Sequence, residues 1–185
     1  MMKIWVVALG AVDAEILAAV NRFLPHTFGL PVQTMQPFPE PAYAFDQQRN
    51  QYSSTLLLRE LLGHVPPDAA RLLGLTACDL FIPMLNFIFG QAQVPGQAAV
   101  VSLARLRQEF YGLPPGKALL LSRTLKEVAH EMGHTFGLVH CSGKSCAMSL
   151  STNIQQVDAK EAAFCEGCGV LLREALAQWK PLVGA

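Results

Sequence analysis

The chemistry of this chain is concentrated between His130 and Cys141, which read His-Glu-Met-Gly-His-Thr-Phe-Gly-Leu-Val-His-Cys. His130 and His134 stand at i and i+4. On a helix those positions share one face, about 6 Å apart along the axis. Two imidazoles on one rigid element can therefore converge on a single zinc ion. Glu131 lies beside the first histidine and can reach a water activated there without ligating the ion, the placement of a general base. Gly137 ends the helix, because glycine adopts the left-handed turn that a helix C-terminus often requires. That turn returns His140 as a third ligand. Three histidines leave zinc an open fourth position, which marks a catalytic site. The plain alternative is an amphipathic helix with surface histidines. Against it, three of the chain's five histidines fall in this one window.

Four of the five cysteines follow directly: Cys141, Cys146, Cys165 and Cys168. Their spacing is C-x4-C, then eighteen residues, then C-x2-C. Paired cysteines at such intervals suit a closed thiolate shell around a second, structural zinc. Two disulfides, or a redox-active Cys165–Cys168 pair, are the alternatives. Gly167 and Gly169 flank Cys168 and allow the tight knuckle a metal-binding loop needs. Because Cys141 follows His140, the two sites must be neighbours, so loss of Cys146 is expected to weaken metal binding at the histidines as well. Cys78 stands apart in an apolar run and reads as a buried free thiol.

Adding G-x-x-H to H-E-x-x-H gives the metzincin form of the motif. The segment from His130 to Cys168, about a fifth of the chain, resembles the archaemetzincin family of metallopeptidases. That family's pattern is H-E-x-x-H-x-x-G-x3-C-x4-C-x-M with a downstream C-x-x-C. Here it is met by His130, Glu131, His134, Gly137, Cys141, Cys146, Met148, Cys165 and Cys168. The interval from Met148 to Cys165 is sixteen residues, one shorter than the family's usual seventeen, a change that a loop absorbs. The resemblance implies that Met148 forms a Met-turn beneath the catalytic metal. Some clan members carry an extra tyrosine ligand two residues after that methionine; here the position is Leu150. The resemblance also implies a zinc-dependent peptidase, with Glu131 activating the water that attacks a peptide carbonyl, and aminopeptidase-like action in some members. Two zinc ions per chain are expected, one catalytic and one structural.

These residues need a scaffold. Periodicity predicts strands at 3–9, 29–36, 76–82, 86–92 and 98–103, and helices at 13–24, 52–64, 117–136, 158–163 and 169–179. Ile16, Leu17, Val20 and Leu24 share one face of the first helix, which Pro25 should end. Ser53 or Ser54 should cap the second. Pro37, Pro39 and Pro41 mark a rigid connector. The metal-bearing helix is 117–136. This order is α/β. The resemblance sharpens it to a metzincin-like twisted mixed sheet of about five strands with backing and active-site helices, plus a small zinc-stabilised C-terminal subdomain. One strand, 86–92 or 98–102, should run antiparallel at the rim and pair with extended substrate. Phe87 and Phe89 could instead simply pack in the core. Arg105, Arg107 and Arg123 lie near the presumed cleft or are solvated surface charges.

The length of 185 residues suits one catalytic domain, with 1–137 forming an N-terminal subdomain and 138–185 a C-terminal one. Fourteen basic residues balance fourteen acidic ones, so no charge draws the chain to nucleic acid or anionic membrane. No apolar run reaches membrane-span length. Residues 4–12 could pass for the core of a signal peptide, but Asp13 and Glu15 follow at once, so the run reads as a buried strand. Zinc-like cysteine spacing suits a reducing cytoplasm. A monomer acting on a peptide or protein substrate is expected, with no removable pro-segment. Two other readings remain at this point. One is a zinc-stabilised protein that holds peptides with little or no cleavage. The other is a redox sensor that releases metal on thiol oxidation.

Overall fold

A computed structural model describes residues 2–178. The chain runs β1 (Lys3–Leu9), α1 (Ala14–Phe28), β2 (Val32–Thr34), β3 (Phe45–Asp46), β4 (Gln51–Ser53), α2 (Ser54–Gly63) and β5 (Ala69–Thr76). It continues through β6 (Leu80–Ile82), β7 (Leu85–Ile88), β8 (Gly90–Ala92), β9 (Ala98–Ser102), α3 (Lys117–Thr135), α4 (Ile154–Ala159) and α5 (Glu166–Gln178). The main sheet has five strands in the order β2-β1-β5-β9-β8. Four are parallel. β8 runs antiparallel to β9 at the rim, with Gly90 opposite Val101 and Ala92 opposite Ala99.

Strand alternation divides the core between the two faces of this sheet. Ile4 and Val6 of β1 join Leu73, Leu75 and Val101 under α1 and α3. Val7, Leu9, Leu72 and Val100 pack under Leu57 and Leu61 of α2. Covering both faces is what a parallel sheet requires. The expected mixed sheet of five strands, its antiparallel rim strand and the long helix that carries His130 and His134 are all present.

Several local expectations are corrected. Pro25 does not end α1, which continues to Phe28 and stops at Gly29, φ +66°. Phe28 is buried and stacks on Phe136, with ring centroids 5.5 Å apart, and this packing outweighs the hydrogen bond that proline removes. Ser53 occupies the N-cap position of α2 as expected, but its side chain makes no capping bond; the buried Ser54 hydroxyl bonds to the Phe81 carbonyl, 3.0 Å away. The strand at 29–36 shrinks to β2. The predicted strand 76–82 is the last residue of β5, a turn and the whole of β6. β5, all eight of whose residues are buried, was hidden by Arg71 and Gly74 in its middle. The run 86–92 is likewise two strands. β6 and β7 belong to a second, four-stranded sheet, β3-β4-β6-β7, that was not expected. The short helix lies at 154–159, not 158–163, and α5 begins at Glu166. Residue 179, the last of the predicted final helix, lies outside the described residues.

Candidate active site

Every residue of α3 from Glu127 to Thr135 is buried. The helix closes with paired C-terminal bonds: the Leu138 amide donates to the Gly133 carbonyl (3.1 Å) and the Gly137 amide to the His134 carbonyl (2.9 Å). Gly137 holds φ +92°, a left-handed conformation that glycine tolerates and other residues resist. The same turn brings the Leu138 carbonyl to 2.7 Å from His134 Nδ1. His130 Nδ1 lies 2.8 Å from the Ala147 carbonyl. A carbonyl only accepts, so both Nδ1 atoms carry the proton and both Nε2 atoms present a lone pair.

Burial holds these rings neutral. His130 is lowered to about 3 by desolvation, with the nearby Lys160 charge adding to it. His134 and His140 are lowered for the same first reason. The two Nε2 atoms then face one another at 3.1 Å with no proton between them. Their lone pairs repel unless a cation lies there, and zinc–nitrogen bonds of about 2.0–2.1 Å in a tetrahedron place nitrogens about 3.3 Å apart. His140 completes the group: the three histidines bring ligand nitrogens within 4.8 Å of one another. The donor set therefore fits zinc.

The four cysteines are brought together as well, with their sulfurs within 4.8 Å of one another. All are free thiols. Cys141 and Cys165 sulfurs are 3.8 Å apart, far beyond a disulfide bond. Zinc–sulfur bonds of about 2.3 Å imply sulfur separations of about 3.8 Å in a tetrahedron. Backbone amides point at the sulfurs: Gly143 at Cys141 (3.3 Å), and Met148 and Cys165 at Cys146 (both 3.4 Å). The Cys165 thiol is lowered to about 7, first by the Cys168 backbone N–H. Its position just before the N-terminus of α5 favours the same charge.

Met148 is fully buried under α3. A side chain on Gly133 would meet its sulfur at 2.5 Å, so the glycine inside H-E-x-x-H makes room for the methionine. Gly90 makes a similar allowance for the general-base candidate. A Cβ there would lie 2.6 Å from Glu131 Cγ and 2.8 Å from the Val100 carbonyl. Sequence reasoning missed both glycines; the first stood within the motif, and the second had no local signal. Gly90→Ala should destabilise the fold by about 1–3 kcal/mol through overpacking and lower turnover at least tenfold. Thermal melts and peptide hydrolysis on one preparation check this, and unchanged turnover would show that Glu131 tolerates the displacement.

Glu131 is 5 % exposed, and burial raises its carboxyl well above the ordinary range, with the Glu127 charge acting in the same direction. It lies in a cleft of about 500 Å³ beside β8, together with the three histidines. Phe87, Phe89 and Leu150 give the cleft an apolar lining. Among the described residues Arg105, Arg107 and Arg123 do not line it. Arg105 forms a two-point pair with Asp79 (2.7 and 2.8 Å) and stacks on Phe87. Arg123, expected near the cleft or in solvent, is buried in a two-point pair with Asp158 (2.7 Å) that ties α3 to α4. Cys78 is a partly buried free thiol, raised by burial, in the turn after β5 and not in a strand.

A cation-demanding histidine cluster beside a buried glutamate, at the rim of such a sheet, is the arrangement of a zinc metallopeptidase. Comparison with known proteins makes the class specific. Residues 12–174 match the model of peptidase family M54, and the chain belongs to that family. It is 42 % identical over 167 residues to the archaemetzincin of Methanocaldococcus jannaschii, covering 90 % of each chain. Its fold is similar to the crystal structure of archaemetzincin from Methanopyrus kandleri (TM-score 0.84, 40 % identity, 96 % of each chain covered). It is also similar to a zinc-dependent peptidase from Methanocorpusculum labreanum (TM-score 0.84, 30 % identity, 91 % of this chain and 99 % of that one). The protein is a zinc metallopeptidase acting on peptide substrates, and among the described residues no helix is long and apolar enough to cross a membrane.

Proposed function

We propose that the protein carries two zinc ions, a catalytic one held by His130, His134 and His140 and a structural one held by Cys141, Cys146, Cys165 and Cys168. The observation that carries this is the 3.1 Å approach of two unprotonated imidazole nitrogens. Zinc bound by three neutral imidazoles supplies Lewis acidity, which lets water act as a nucleophile near neutral pH and polarises a carbonyl. Glu131 takes the proton of the attacking water and returns it to the leaving amine. Its raised carboxyl suits a group that must both accept and release a proton. The unpaired rim of β8 aligns an extended substrate by backbone pairing. Met148 supports the histidines from below, and the Gly137 turn sets the path to His140.

In this reading residues 1–137 and 138–185 are two subdomains of one catalytic domain, joined by the metal sites. The protein works as a monomer in the cytoplasm. Zinc-loaded protein incubated with a mixed peptide library and read by mass spectrometry tests the activity. Cleavage that stops on chelation and returns with zinc is expected. The termini produced separate aminopeptidase from endopeptidase action. No cleavage, with two zinc ions bound, would favour a protein that only holds peptides.

A further inference from the structure

Glu127 lies one helical turn before Glu131 and lines the same cleft. Its Oε1 is 2.8 Å from Lys160 Nζ, and the two side chains are 3 % and 0 % exposed. Lys160 lies just beyond the end of α4, thirty-three positions away in sequence. Its ammonium also donates to the Ser149 carbonyl at 3.4 Å. Ser149 directly precedes Leu150, Ser151 and Thr152, which line the cleft with Glu127. One buried cation therefore links α3 to the segment that faces it.

Docking α4 onto α3 does not need this pair. Arg123 already grips Asp158 with two bonds of 2.7 Å, and Lys126 donates to the Asp158 carbonyl at 3.0 Å. A fully buried ion pair loses much of its attraction to desolvation, and apolar residues of similar volume commonly serve stability as well or better. Burial raises the Glu127 carboxyl, whereas the Lys160 charge opposes that rise. What the pair supplies beyond stability is direction: two charged groups fix a separation that apolar packing leaves adjustable.

We propose that Glu127 and Lys160 are a positioning pair for the cleft, holding Leu150–Thr152 at a set distance from α3 and so deciding which substrate side chains are admitted. This rests on the peptidase reading for its chemistry but concerns binding geometry. The zinc-loaded full chain is compared with Glu127→Leu/Lys160→Met, which removes both charges, and with Glu127→Gln/Lys160→Met, which keeps the size and polarity at 127 and leaves no buried charge unpaired. Three fluorescent peptides differing only in one residue (Ala, Leu or Phe) are the probes. Affinity is read by anisotropy on a Glu131→Gln background, and KM and kcat are read with Glu131 present.

The first double variant is expected to melt within a few degrees of the parent and to keep its zinc. Its affinity ratios among the three peptides should collapse at least fivefold, and the KM ratios with them. Glu127→Gln/Lys160→Met should fall between, and decides the matter alone if the first double variant does not fold. Parental ratios in a folded variant would overturn the proposal, as would a parent that binds all three peptides equally. Pair-dependent binding without any cleavage by the parent would instead remove the peptidase reading and leave the positioning role standing.

Discussion

Glu131→Ala is expected to lower kcat/KM by about 10²–10⁴-fold, the usual contribution of a positioned proton-transfer group, with zinc content unchanged. The residue lies outside both ligand clusters, so its loss removes no metal donor. Its carboxyl is enclosed by its own helix and by β8, where the missing side chain of Gly90 leaves room for it. That enclosure raises its proton affinity, so it can hold a proton between accepting it from water and returning it to the leaving amine. Peptide cleavage read by mass spectrometry, beside elemental zinc analysis of the same samples, separates loss of chemistry from loss of metal. Wild-type turnover in the alanine variant would take the proton-transfer role away from Glu131. Loss of zinc along with activity would mean that its carboxylate holds the site together.

Cys146→Ser is expected to remove one zinc ion and to weaken the other. Cys146 is buried, and its sulfur accepts amide hydrogens from Met148 and Cys165. Folding and thiolate metal binding are coupled, since an unfilled site of this kind does not hold its own loops. A loss of about 4 kcal/mol lowers Tm by about 8–16 °C for a domain of this size. The second effect runs through the backbone. Ala147, whose carbonyl receives the His130 Nδ1 proton, sits between Cys146 and Met148. Displacing that carbonyl frees the imidazole to rotate or change tautomer, and losing such an outer contact typically weakens metal binding about 10–100-fold. Competition with a chromophoric chelator would measure this. Equal affinity at the histidine site in mutant and parent would show the two centres to be independent.

The metal-binding cluster was legible because its donors are close in sequence and helix geometry alone aligns two of them. The cysteines were legible because few other arrangements demand that spacing. What escaped was whatever depends on distant segments meeting. Gly90 matters only because Glu131 arrives beside it from forty-one positions away. Lys160 carries no local sign that it will be buried against Glu127. β5 was lost because Arg71 and Gly74 interrupt the continuous apolar run by which a central parallel strand, buried on both faces, is otherwise read. Pro25 and Ser54 misled for a related reason: each followed a local rule that tertiary contacts overrode. Phe28 needed the extra helical turn, and the Phe81 carbonyl claimed the serine hydroxyl.

The Ala147 carbonyl has a consequence for how the protein matures. It can orient His130 only after the chain on either side has been fastened, and on the Cys146 side that fastening is the thiolate cluster. Four sulfurs also outcompete three imidazoles for scarce zinc. If both clusters hold zinc as proposed, assembly is ordered: the cysteine knuckle fills first and acts as a licence for the histidine site. A newly made chain short of metal would then be folded before it was active, and supplying zinc would start the enzyme.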